Sequence, residues 1–212
     1  MPISAKICGL TTAATLDAAI GRGASHVGFV FFPPSPRNLS FEQAAALAIR
    51  VPDHVSRVGV FVDPDDETIT RAVRDARLSV IQLHQTSPER IAHLRRMTGV
   101  ETWAAVAVKT RADLDAAGRV VGAADGLLFD AKTPAGATLP GGMGVRFDWS
   151  LLSGYSSPLP WGLSGGLDAA NVAEAVDRTQ TKLVDTSSGV EDVPGVKSVD
   201  KIAAFLQSVR QL

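Results

Sequence analysis

Apolar residues along this chain fall in short, near-continuous runs that alternate with stretches whose apolar positions recur at helical spacing. The first run, Ala5 to Cys8, turns at Gly9. Thr11 and Thr12 follow, and either can cap a helix carrying Leu16 and Ile20. His26 to Phe32 is a second strand, leading into the stiff segment Pro33-Pro34-Ser35-Pro36-Arg37. Ser40 with Gln43 has capping-box spacing, and Ala44, Leu47 and Ala48 share one face of the helix it opens. Arg57 to Asp63 is a third strand, and a helix runs from about Asp65 to Ala76. Ser79 to His84 is a fourth strand, after which Ser87-Pro88-Glu89 reads as N-cap, first-turn proline and first-turn acid.

The second half repeats this plan. Thr102 to Val108 is a strand, and Thr110 caps a helix reaching about Val121. Gly126 to Asp130 ends on a carboxylate and opens a long glycine-rich loop from Ala131 to about Arg146. A short helix lies near Trp149 to Leu152. Trp161 to Leu163 precedes a helix over Asp168 to Thr179, and Lys182 to Asp185 precedes a last helix from about Ser198 to Val209. Eight strand–helix units with strands of the type buried on both faces imply a parallel sheet covered by helices. Eight strands in an open sheet would leave edges with no spare element to cover them. At 212 residues the chain suits one closed (β/α)8 TIM barrel, a single α/β domain over residues 1–212.

Composition narrows the partners. A net charge of -1 without a long basic run argues against nucleic acid or an anionic membrane surface. No apolar run is long enough to span a bilayer, and the first residues lack the pattern of a signal peptide. One cysteine cannot form an internal disulfide, which fits a reducing cytoplasm. With one Cys and four scattered His, no metal site is expected.

In a barrel the chemistry sits where strands end. Those ends are Cys8, the loop to Arg37, Asp63, His84, Lys109, Asp130, the Ser164-Gly165-Gly166 turn, and Asp185 to Gly189. The seventh and eighth loops are rich in Gly and Ser, which let backbone N–H groups approach a ligand, and barrels commonly hold phosphate there. Tight turns alone would use the same residues. Cys8 reads either as a nucleophile or as a small buried hydrophobe. Arg37 is either a fork for a carboxylate or phosphate, or a solvated cation. Asp130 is either a general acid or a cap for the loop after it. His84 reads as a hydrogen-bonded loop histidine ahead of an acid–base group, and Asp63, before Pro64, as a helix-entry residue ahead of a catalyst.

Several stretches together resemble the phosphoribosylanthranilate isomerase family of tryptophan biosynthesis. They are Lys6-Ile7-Cys8-Gly9-Leu10, Gly28-Phe29-Val30-Phe31 with Ser35-Pro36-Arg37, Gln82-Leu83-His84, and Leu127-Leu128-Phe129-Asp130. Gly141-Gly142, Gly144 and Phe147-Asp148-Trp149 follow, then Ser164-Gly165-Gly166-Leu167 with Asn171-Val172. Asp185-Thr186-Ser187-Ser188-Gly189-Val190-Glu191 and Pro194-Gly195-Val196-Lys197 complete the set. Three positions depart from the family pattern: Gln85 in place of glycine, Met143 in place of threonine, and Asp168 in place of asparagine.

The resemblance implies an Amadori rearrangement of N-(5-phosphoribosyl)anthranilate, a phosphosugar, with no cofactor. It implies Asp130 as acid and Cys8 as base, and Arg37 on the anthranilate carboxylate. Gly165, Gly166, Ser187 and Ser188 would hold phosphate, with Asp185 beside the sugar hydroxyls and His84 also on the substrate side. The sixth loop is expected to exclude water. A cytoplasmic monomer or weak homodimer is expected. Lys6 is expected to face away from Cys8, which leaves the group stabilising the thiolate unnamed. The rivals are a related bifunctional phosphosugar isomerase, which places aspartate at the first strand end, and a phosphosugar-binding barrel without activity.

Overall fold

The computed structural model describes residues 2–133, 141–142 and 144–212. Its central strands are β1 (Ser4–Cys8), β2 (His26–Phe31), β3 (Ser56–Val62) and β4 (Val80–His84), then β5 (Glu101–Val108), β6 (Gly126–Ala131), β7 (Trp161–Leu163) and β8 (Leu183–Thr186). They pair in sequence order, all parallel, and β8 returns to β1 with Asp185 opposite Lys6, so the barrel closes. Closure removes both edges, as the strand count required.

Side chains of alternate strand residues divide between two cores. Outward-facing residues such as Ile7, Phe29, Phe61, Ile81 and Phe129 join the apolar faces of the helices in one large buried cluster. Inside the barrel, Val58, Val80 and Trp103 fill the floor. Cys8, Val30 and Val60 pack nearer the mouth.

The outer helices are α1 (Ala13–Gly21), α2 (Phe41–Ala48), α3 (Asp66–Asp75), α4 (Pro88–Thr98), α5 (Ala116–Arg119), α6 (Val172–Thr179) and α7 (Val199–Arg210). Local chemistry sets their starts. Thr12 accepts from the Thr15 N–H, Ser40 and Gln43 close the expected capping box, and Ser87 caps α4 with Pro88 in its first turn. No helix among the described residues is long and apolar enough to cross a membrane.

Four local expectations are corrected. The helix expected after Thr110 is a 3-10 turn, Arg111–Asp115, and then the single turn of α5. Asp113 takes the N–H groups of Lys109 and Thr110, and Gly118 and Gly122 disfavour a longer helix. The helix expected from Asp168 begins at Val172, because Asp168 Oδ1 binds the N–H groups of Ala170 and Asn171 in a turn of its own. Asp63 is not the helix-entry residue: Asp65 caps α3, while Asp63 has a φ of 40° and donates its N–H to the His84 carbonyl. A hairpin absent from the sequence reading, β9 (Glu191–Val193) and β10 (Val196–Lys197), turns at Pro194-Gly195 beside the mouth.

Gln85, one of the departures from the family pattern, is exposed and has a φ of 52°. Side chains with a Cβ adopt this left-handed region at a cost of about 1–2 kcal/mol, whereas glycine does not pay it. Gln85→Gly should therefore stabilise the fold by up to about 1 kcal/mol once the extra freedom of the unfolded chain is subtracted, read as a higher denaturant midpoint at unchanged slope. An unchanged or lower midpoint would show that the turn is not strained.

Candidate active site

Nine residues singled out in the sequence line one pocket at the mouth: Cys8, Arg37, His84, Asp130, Gly165, Gly166, Asp185, Ser187 and Ser188. The barrel brings them together from the ends of six strands. Asp130, on the last turn of β6, is buried, and its Oδ1 accepts the Ala131 N–H at 2.8 Å. Glycine surrounds it on two sides. A methyl group at Gly141 would stand 2.5 Å from Asp130 Oδ2, and one at Gly165, where φ is +93°, would stand 3.1 Å from Oδ1. Burial first, and the negative charge of Asp185 second, push the Asp130 carboxyl up to about 7.

Cys8 is buried across the pocket. Burial pushes its thiol above the ordinary value, and Asp185 pushes the same way, while the ammonium groups of Lys6 and Lys197 oppose them. This corrects the expectation that Lys6 faces away. Residues two apart on a strand share a face, so Lys6 and Cys8 both point into the barrel. Lys6 is fully buried, and its Nζ donates to Asp185 Oδ1 at 3.0 Å. Burial alone would lower the Lys6 pKa, but Asp185 and Cys8 outweigh it and raise the value.

Arg37 is neither a solvated cation nor a free fork. Its Nε and Nη2 each donate to Glu191 at 2.7 Å, and Nη2 also donates to the Gly142 carbonyl at 3.0 Å. Glu191 in turn takes Lys197 Nζ at 2.6 Å. Burial would raise the Glu191 carboxyl, yet Arg37 and Lys197 together hold it below its ordinary value. Glu191 and Lys197 are functional candidates that carried no role in the sequence reading. Lys197 also donates to Ser187 O and Oγ, and Ser187 Oγ donates to the Cys8 carbonyl. The Ser187 hydroxyl proton is thus committed to the fold, while Ser188 lines the pocket beside it.

His84 is buried, as the hydrogen-bonded reading required, with Nε2 at 2.9 Å from the Gln82 amide. Burial pulls its ring down to about 4, so it is neutral at physiological pH. Of the sixth loop, residues 134–140 and 143 lie outside the described residues, Met143 among them. The exit of that loop is tied to the seventh: Arg146 donates to the Gly166 carbonyl and pairs with Asp168. Among the described residues no three His, Cys, Asp or Glu side chains are grouped to hold a metal ion.

A closed parallel barrel with a buried carboxyl, a thiol and paired cations at the carboxyl ends of its strands has the architecture of a (β/α)8-barrel enzyme. Residues 5–208 match the family model described as N-(5'phosphoribosyl)anthranilate (PRA) isomerase. The N-(5'-phosphoribosyl)anthranilate isomerase of Zymomonas mobilis subsp. pomaceae is 51% identical over 214 residues, covering 100% of both chains. That of Paramagnetospirillum magneticum is 50% identical over 211 residues, covering 99% of this chain and 98% of its own. A crystal structure of phosphoribosyl anthranilate isomerase in complex with reduced 1-(o-carboxyphenylamino)-1-deoxyribulose 5-phosphate superposes with a TM-score of 0.83. It is 32% identical and covers 99% of this chain and 100% of that one. The chain belongs to the N-(5'-phosphoribosyl)anthranilate isomerase family.

The Asp130 carboxyl gives a direct stability test. Its folded pKa, about 7, lies above the ordinary aspartate value of 3.8. The folded state therefore binds the extra proton between those values, and stability falls as pH rises through that window. Asp130→Asn removes the penalty, which is on the order of 4 kcal/mol when fully developed. The variant should gain in melting temperature relative to wild type between pH 5 and pH 8. A difference independent of pH would show that Asp130 ionises normally.

Proposed function

We propose that this chain catalyses the Amadori rearrangement of N-(5-phosphoribosyl)anthranilate to 1-(2-carboxyphenylamino)-1-deoxyribulose 5-phosphate, a step of L-tryptophan biosynthesis. The observation that carries the proposal is Asp130, a buried carboxyl held up to about 7 in the same pocket as Cys8. In this reading Asp130 protonates the furanose ring oxygen, and the ring opens to an iminium. Cys8, as thiolate, then takes the proton from C2, and the resulting enolamine tautomerises to the ketone. General acid–base chemistry of this kind needs an acid and a base to reach one ligand from different sides. The two groups come from β1 and β6, on opposite flanks of the mouth.

Burial raises the thiol above its ordinary value and the carboxyl to about 7, so the productive arrangement, with the proton on Asp130 and a thiolate at Cys8, is the minor one in the free protein. Arg37 holds the anthranilate carboxylate through the N–H groups that Glu191 leaves to it. Gly165, Gly166, Ser188 and the Ser187 backbone hold the phosphate, and the sixth loop excludes water. Asp185 and His84 line the sugar side. All nine groups line one pocket of one barrel, which supports action as a single domain over residues 1–212; the setting we propose is a cytoplasmic monomer or weak homodimer.

Loss of substrate fluorescence with purified protein measures this activity. Cys8→Ala and Asp130→Ala should each lower turnover by at least about a hundredfold, the low end for acid–base catalysis. Near wild-type turnover in both would overturn the roles. Glu191→Gln loosens the charged half of the Arg37 fork and should raise KM about tenfold or more while changing kcat less, because a charge-assisted bidentate pair holds geometry more tightly than a neutral one. An unchanged KM would separate Glu191 from substrate binding.

A further inference from the structure

The ion pair Lys6–Asp185 is buried inside the barrel, with Lys6 on the same face of β1 as Cys8. Asp185 stands opposite Lys6 in the β1–β8 register, and the two bond at 3.0 Å with both residues buried. The second Asp185 oxygen accepts from Ser164 Oγ at 3.1 Å. Ser164 precedes Gly165, which packs on Asp130. Both oxygens of Asp185 are thus engaged by protein groups, an arrangement that fixes a charge in place more than it offers a ligand for sugar hydroxyls.

From this geometry we propose that Lys6 and Asp185 are positioning residues, a fixed buried ion pair that sets the electrostatic environment shared by Cys8 and Asp130. The inference rests on the acid and base roles given above. The groups facing the pair are Cys8 from β1, His26 from β2, His84 from β4 and Asp130 from β6, and Lys197 on β10 acts on Cys8 from above. His26 and His84 are both pulled down to about 4, chiefly by burial, so neither carries charge near neutrality. Lys6 and Asp185 are then the charges common to the thiol and the carboxyl. Lys197 is matched by Glu191.

The single cysteine makes the test direct, because thiolate absorbance at 240 nm reports Cys8 alone once a Cys8→Ala background is subtracted. Asp185→Asn keeps the shape and removes the negative charge. Its thiolate should form about one pH unit or more below wild type, and the kcat/KM profile should move as a whole to lower pH. Lys6→Met should shift the thiolate the other way. Because the absorbance needs no substrate, it separates this inference from the reaction itself, which wild-type turnover tests.

A purely structural or sugar-binding role for Asp185 would lower kcat/KM without moving either titration. Unmoved titrations, or shifts of the same sign in both variants, would overturn the proposal. Should Lys6→Met not fold, Asp185→Asn alone decides: a lowered thiolate titration supports the proposal, and an unchanged or raised one ends it.

Discussion

Charge buried inside a closed barrel must be matched within the barrel, because burial removes it from bulk solvent. That constraint organises this molecule. Lys6 and Asp185 neutralise each other across the β1–β8 seam, where the sheet closes. Arg37, Glu191 and Lys197 form a second set at the rim, in which one carboxylate holds two cations and each of its oxygens is taken by a cation. Of the three buried carboxyl groups, Asp130 alone has no cation bonded to it among the described residues; its Oδ1 accepts only the neighbouring Ala131 N–H. This unmatched carboxyl is the buried carboxyl whose proton affinity rises, and in the proposed reaction it serves as the acid.

The second set explains why the chain returns to the barrel after β8. The β9–β10 hairpin buries little and adds no strand to the barrel, yet it delivers Glu191 to Arg37 and Lys197 to Glu191. Through Ser187, Lys197 also ties the eighth loop to the Cys8 carbonyl. Arg37, the phosphate loop and the strand end bearing Cys8 are therefore one hydrogen-bonded unit, and the Gly142 carbonyl joins the sixth loop to it. A guanidinium fixed at two nitrogens has little freedom left, so its remaining N–H groups point in one direction. Preorganisation of this kind lowers the cost of orienting a ligand.

Barrel topology was legible because every strand is a near-continuous apolar run and every connection carries helix signals. Ser40, Ser87 and Thr12 cap helices where their spacing placed them. Local signals failed where side chains outcompeted the helix: Asp113 and Asp168 bind backbone N–H groups of their own loops, and propensity does not weigh that competition. The site was legible as strand ends. Its electrostatics was not, because Arg37 and Glu191 are 154 positions apart and Lys6 and Asp185 are 179 apart, so only the closed fold pairs them. Lys6 was a different case. Its spacing of two from Cys8 already puts both on one face, and that pattern is readable from the strand alone.

The two charged sets also decide what kind of change the site tolerates. A group whose partner is another protein charge can be neutralised only at the cost of stranding that partner, so Lys6, Asp185, Glu191 and Lys197 are each held in place by the penalty of losing the other. Asp130 is held by no such penalty. Replacing it relieves the fold, and its presence makes sense only through what it does to a ligand. The barrel therefore keeps an acid that destabilises it above neutrality beside ion pairs whose disruption would strand a charge. The contrast supports the role proposed for Asp130 on physical grounds, independently of resemblance.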